Sequence, residues 1–187
     1  TSTDIVLLGS DGAVHTKKIS SSVDNYARAI VEGLGQVLQE TGIAPAAIVF
    51  GQTQYGKPYI KTAPTPIHFN VAHSANLAIY AISHSCVPGV DIEFLHRNID
   101  DDAVARRFFT QCEYAKLQRI PAAQRKRAFL TCWTRKEAIV KALGEGLRLP
   151  LDKIEVTVAP AAEPQVLGIP CGRIADWTLY SVDAGRD

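Results

Sequence analysis

No apolar run in this 187-residue chain reaches the ~18 residues that a membrane-spanning helix needs. The amino terminus lacks the basic-then-apolar pattern of a secretion signal. Cysteine is scarce and scattered: Cys86, Cys112, Cys132 and Cys171 form no C-x-x-C pair. That spacing argues against a zinc site and for reduced, mostly buried thiols in a cytoplasmic protein. An excess of either charge is also missing, with 20 Lys and Arg against 19 Asp and Glu. Bulk charge alone therefore argues neither for nor against nucleic acid, although a strong polyanion binder usually carries a basic excess; no nucleic-acid or membrane partner is expected. The chain opens on Thr1 rather than Met, which leaves a processed or trimmed terminus open.

What is present is ordinary for a soluble globular protein: 47% apolar and 21% charged residues. This length fits one domain or two small ones, and it allows roughly 70% of the unfolded chain's surface to be buried without disulfide or metal staples. Periodicity predicts strands over Asp4–Leu8, Ile48–Phe50, His68–Ala72, Leu77–Ser83, Val90–Phe94, Ile154–Val158 and Trp177–Val182. It predicts helices over Ser22–Glu40, Asp101–Phe109 and Thr110–Arg119, and a longer one with Pro121 in its first turn that ends at Gly144. Turns are expected at Tyr55–Pro58 and Pro88-Gly89, and a loop over the Pro/Ala/Gly-rich residues 159–173. Residues 29–35 match residues 138–144 at five of seven positions. This is either chance likeness between two helices or a duplicated α/β unit, with halves meeting near residue 88 and a cleft between them.

Gly89-Val90-Asp91-Ile92-Glu93 alternates so that Asp91 and Glu93 share a face. A lone D-x-E is commonly a solvated strand face, yet two like charges on one face repel unless a cation or a base offsets them. Mg²⁺ is an economical answer, because it takes one or two carboxylates and uses substrate phosphates for the rest. In Trp133-Thr134-Arg135-Lys136-Glu137-Ala138-Ile139-Val140-Lys141, Glu137 and Lys141 are four apart on one helix face. As an exposed pair they would add only about 0.3–0.5 kcal/mol. Glu137, however, lies about 40° from Trp133 and about 60° from Val140 around the helix, at the border of the apolar stripe. A carboxylate there is partly desolvated and calls for a cation, and Lys141 can meet a phosphate oxygen as a point charge. Thr110-Gln111-Cys112-Glu113 fits a capping box. His73 stands at a strand end, and the Gly56-Lys57-Pro58 turn offers backbone N–H groups and a cation to an anion. Arg119, Arg125, Lys126 and Arg127 form a basic run that reads as a solvated face or as a surface for an acidic partner.

In these segments the chain resembles the Sfp-type 4′-phosphopantetheinyl transferases. They are Tyr55-Gly56-Lys57-Pro58, Phe69 through Ser74, Gly89 through Glu93, Phe108 through Tyr114, and Trp133 through Gly146 continuing into Leu149-Pro150-Leu151. The order is the family's, over about residues 55–158. The resemblance implies an α+β fold of two similar α/β halves related by a pseudo-two-fold, with residues 1–88 and 89–187 as the halves and the active site in the cleft between them. It implies a monomer that transfers the 4′-phosphopantetheine arm of coenzyme A to a serine of an apo acyl or peptidyl carrier protein, releasing 3′,5′-ADP. Asp91, Glu93 and Glu137 are then the Mg²⁺ ligands, and Lys141 contacts the phosphate under attack. Glu137 or Glu113 takes the serine proton. Lys57 and His73 contact coenzyme A, and Arg28 meets its nucleotide phosphate. Ala72 stands where many members carry serine. The rival readings are a metal-dependent nuclease or phosphodiesterase, and a non-catalytic module that binds coenzyme A or a carrier.

Overall fold

The computed structural model describes residues 2–8, 14–20, 49–61, 67–75 and 77–182. The expected Ser22–Glu40 helix, the echo at residues 29–35 and Arg28 lie outside them. The chain mixes strands and helices. It divides into two compact units, Thr1–Ile92 with Lys141–Gly144, and Glu93–Val140 with Glu145–Asp187.

The first unit is built on antiparallel hairpins. β1 (Ser2–Leu8) pairs with β2 (Val14–Ser20) from Ser2 opposite Ser20 to Leu8 opposite Val14. β3 (Phe50–Gln52) pairs with β4 (Pro58–Ile60) around the expected Tyr55–Pro58 turn. That turn is closed by Gly56 N–H on the Thr53 carbonyl at 2.9 Å, with Gly56 at φ +82. β5 (His68–Ser74) pairs with β6 (Leu77–Ser83) from His68 opposite Ser83 to Ser74 opposite Leu77. The link is tight enough to hold Ala75 at φ +52, a left-handed conformation that two-residue hairpin turns demand. β6 is nearly continuous in apolar residues, and Ala78 through Ser83 are all buried. β1 lies beside it, and Phe69 meets Phe50 edge-on, with ring centroids 5.9 Å apart.

The second unit is mainly helical. α1 (Asp101–Phe108) starts where Asp100 accepts from Ala103 N–H at 3.0 Å. α2 (Gln111–Arg119) opens on the capping box read from the sequence, with Thr110 and Glu113 each accepting the other's backbone N–H. α3 (Ala122–Leu143) follows directly after Pro121 and ends at Gly144, whose φ is +73. Phe109, Phe129 and Trp133 stack in the core, and Phe108 meets Trp133 edge-on. Two short strands, β7 (Glu155–Val156) and β8 (Val166–Gly168), pair antiparallel. Among the described residues no helix is long and apolar enough to cross a membrane.

Several expectations differ from what is found. Val90–Phe94 forms no ladder. The Val90 N–H goes instead to the buried Asn70 side chain at 2.9 Å, so the donor that a sheet would use is already taken. Trp177–Val182 also lacks a ladder, and Ser181 Oγ there accepts from Arg135 at 3.1 Å. The Ile154–Val158 strand shortens to Glu155–Val156. The Pro/Ala/Gly-rich stretch contains β8, and β2 and β4 had no counterpart in the sequence reading.

Candidate active site

Within the first unit, the Asn70–Val90 hydrogen bond ties the segment after Pro88-Gly89 to β5, and Asp91 follows directly. The Asp91 side chain is only 9% exposed. Burying a carboxylate that far is costly without a charged partner. Lys141, one residue before the last pair of α3, supplies it: its Nζ donates to Asp91 Oδ1 at 2.6 Å. The same stretch of α3 is held from behind. Lys57, in the β3–β4 turn, donates from Nζ to the Lys141 carbonyl at 2.8 Å and to the Ala142 carbonyl at 2.7 Å. These are carbonyls that a helix leaves without intrahelical partners, at its negative end. Burial pulls the Lys57 pKa below its ordinary value, while the two carbonyl acceptors favour the charged form. Gly144 leaves the space through which Lys57 passes, since a Cβ there would stand 2.9 Å from Lys57 Cδ.

The second unit holds the other acids. Glu93 is paired with Arg97, one helical turn's spacing along the chain. The counter-charge expected for the Asp91 and Glu93 pair is thus supplied by two basic side chains, Lys141 and Arg97. Glu113 is fully buried, as is its partner Lys136. Its Oε2 accepts from Lys136 Nζ and from Thr110 N–H, the latter at 2.8 Å. Its Oε1 accepts from Val156 N–H at 2.8 Å, and Lys136 also donates to the Ile154 carbonyl at 2.7 Å. One carboxylate therefore joins α2, α3 and β7. Of its two sequence roles, capping is seen directly in these bonds. Cys132 is buried beside this pair, and burial pushes its thiol pKa well up, with the Glu113 charge adding to the effect. Glu137 is half-buried on α3.

The structure thus brings Asp91, Lys141 and Lys57 together. It places Glu93, Glu113 and Glu137 in the other unit, and His73 exposed on β5 opposite Ala78. Among the described residues no three His, Cys, Asp or Glu side chains are grouped as a metal site. Asp91, Glu93 and Glu137 each carry the carboxylate oxygens that Mg²⁺, a hard ion, takes, and one or two carboxylates suffice for it. Sequence reasoning missed Asn70, Arg97 and Lys136. Asn70 had a readable signal, a polar side chain inside the apolar Phe69-Asn70-Val71-Ala72 run. Lys136 sat inside a recognised segment, but nothing in the helical spacing marked it as fully buried.

Comparison with known proteins places this geometry in context. Residues 88–186 match the model of the 4′-phosphopantetheinyl transferase superfamily. The 4′-phosphopantetheinyl transferase HetI of Nostoc sp. is 36% identical over 143 residues, which are 75% of this chain and 58% of that protein. A 4′-phosphopantetheinyl transferase of Bacillus subtilis is 40% identical over 115 residues, 62% of this chain and 50% of its own length. The 4′-phosphopantetheinyl transferase Sfp of B. subtilis strain 168 is 37% identical over 109 residues, 58% of this chain and 47% of its own. The chain spans about half the length of the relatives it matches.

Proposed function

The chain belongs to the 4′-phosphopantetheinyl transferase superfamily, and on that premise we propose that it transfers the 4′-phosphopantetheine arm of coenzyme A to a serine of an apo acyl or peptidyl carrier protein, releasing 3′,5′-ADP. The observation that carries the reading is the 2.6 Å pair between Asp91 and Lys141. It joins the two most specific segments of the family resemblance, and both lie within the matched residues.

The residues divide the work as follows. Lys141 Nζ, held by Asp91, meets the phosphoryl oxygens as charge builds on them, where a fixed cation is worth more than a mobile one. Glu137 accepts the proton of the attacking serine hydroxyl, directly or through a water. Glu113 acts through Lys136, holding α3 to α2 and β7, rather than at the serine. His73 faces a coenzyme A phosphate, and Arg28 the nucleotide phosphate. Lys57, which the resemblance assigns to the same ligand, is engaged at the end of α3, and its part in the reaction follows from that engagement. Asp91, Glu93 and Glu137 would hold Mg²⁺, which would supply positive charge against the pyrophosphate as its charge builds. The finer fold reading belongs to the same proposal: two α/β halves related by a pseudo-two-fold, the active site in the cleft, and a monomeric cytoplasmic enzyme. Arg106, Arg107 and the basic run at 119–127 suit an acidic carrier.

Asp91→Ala and Glu137→Ala test the assignment. Each removes most turnover while circular dichroism stays as in the parent. Near-normal turnover of either variant at saturating Mg²⁺ refutes the metal assignment.

A further inference from the structure

Resting on the transferase reading above, we propose that Lys57 is a positioning residue for Lys141: by binding the two carbonyls at the end of α3, it fixes the turn from which Lys141 reaches Asp91. Three observations within the first unit carry this. The Lys57 ammonium lies 2.8 Å from the carbonyl of Lys141 itself and 2.7 Å from that of Ala142. Its own backbone is immobilised, with N–H on Thr53 Oγ1 at 3.1 Å and carbonyl accepting from Thr53 N–H at 2.9 Å. Gly144 provides the passage for the Lys57 side chain, and at φ +73 it ends the helix where the two carbonyls become available. The β3–β4 turn and the last turn of α3 are therefore pinned to each other at the residue whose side chain pairs with Asp91.

This differs from a direct ligand contact. An ammonium has three N–H donors, and two are committed to the helix end. Removing a ligand contact weakens coenzyme A binding. Removing a positioning contact instead misplaces a charge that acts in the transition state, where a small displacement is costly.

The test compares Lys57→Met, Lys57→Arg and Gly144→Ala with the parent in two assays. The first is steady-state transfer to an apo carrier with coenzyme A varied. The second is trace acetylation of lysines with acetic anhydride, read by mass spectrometry, with the exposed Lys153 as internal reference. For Lys57→Met, kcat falls about tenfold or more while KM for coenzyme A stays within about twofold. Lys141 is acetylated several-fold faster relative to Lys153, because its pairing with Asp91 loosens. Lys57→Arg, which still reaches the carbonyls, restores most of kcat. Gly144→Ala reproduces the pattern in weaker form and serves if Lys57→Met fails to fold. A raised KM with kcat kept overturns the proposal, as does unchanged Lys141 acetylation. If the parent transfers nothing to any carrier, the transferase reading falls, and the acetylation arm alone decides the role of Lys57.

Discussion

Glu113→Ala offers the sharpest energetic test of how the second unit is held together. The substitution removes the carboxylate that, among the described residues, is bonded to Lys136, a side chain with no exposure. The ammonium keeps the Ile154 carbonyl, but its charge is left uncompensated in the interior. Breaking a buried pair by deleting one partner costs about 3–5 kcal/mol. Val156 N–H and Thr110 N–H lose their acceptors at the same time. Against a total stability of about 5–15 kcal/mol, the loss leaves the fold marginal. Urea unfolding followed by circular dichroism reads the effect as a lower midpoint at unchanged slope. Lys136→Met and the double variant Glu113→Ala, Lys136→Met complete the cycle, and the coupling should reach about 2 kcal/mol. A loss below about 1 kcal/mol for Glu113→Ala, or strict additivity in the cycle, refutes the idea that this pair locks α2, α3 and β7 together.

Other outcomes follow from the same geometry. Gly144→Ala places a side chain at φ +73 and against Lys57 Cδ, and should cost about 1–2 kcal/mol in the same unfolding assay. Contrary to the mostly buried thiols expected from the sequence, Cys86, Cys112 and Cys171 are exposed and only Cys132 is buried; with iodoacetamide at pH 8 the first three should be alkylated in the folded protein, and Cys132 only on unfolding. Its thiol also sets a sign for alkaline stability. Above the ordinary value of 9.0 the unfolded thiol releases its proton while the buried one keeps it. The native state then binds more protons, so stability falls as pH rises through that range. Cys132→Ala should flatten this part of the stability–pH curve. Ala72 is buried, so Ala72→Ser should destabilise unless the new hydroxyl finds a partner. Thermal melts with and without coenzyme A separate that loss from any gain in binding.

The elements that were legible in the sequence are those whose determinants are local. The β5–β6 hairpin follows from two short apolar-rich runs around a tight link, and α2 from a capping box four residues long. α3 follows from Gly144 as a stop and a long amphipathic stretch. Elements whose outcome depended on remote partners were misread. The Val90–Phe94 alternation reads as a strand, but Asn70, twenty residues earlier, takes the Val90 donor. Trp177–Val182 alternates too, yet alternation records what a segment could pair with and not whether a partner strand lies alongside. β8 hides in a stretch rich in turn formers, because its pairing with Glu155–Val156 outweighs weak local preference.

The candidate site divides along the same line. Asp91 and Lys141 were legible as residue types suited to phosphate chemistry, but their pairing was not. Lys57 reaches carbonyls 84 and 85 residues away, and a backbone acceptor leaves no mark in the sequence. The burial of Glu113 was equally hidden, since a capping glutamate and a fully enclosed one look alike until the packing of α3 and β7 is known.

The most direct measurement is the intact mass of a panel of apo acyl and peptidyl carrier proteins after incubation with this protein, coenzyme A and Mg²⁺. The account expects at least one carrier to gain a single phosphopantetheine arm on its serine, with 3′,5′-ADP released in equal amount and Lys141→Met inactive. No mass gain on any carrier by a folded protein that binds coenzyme A would contradict it.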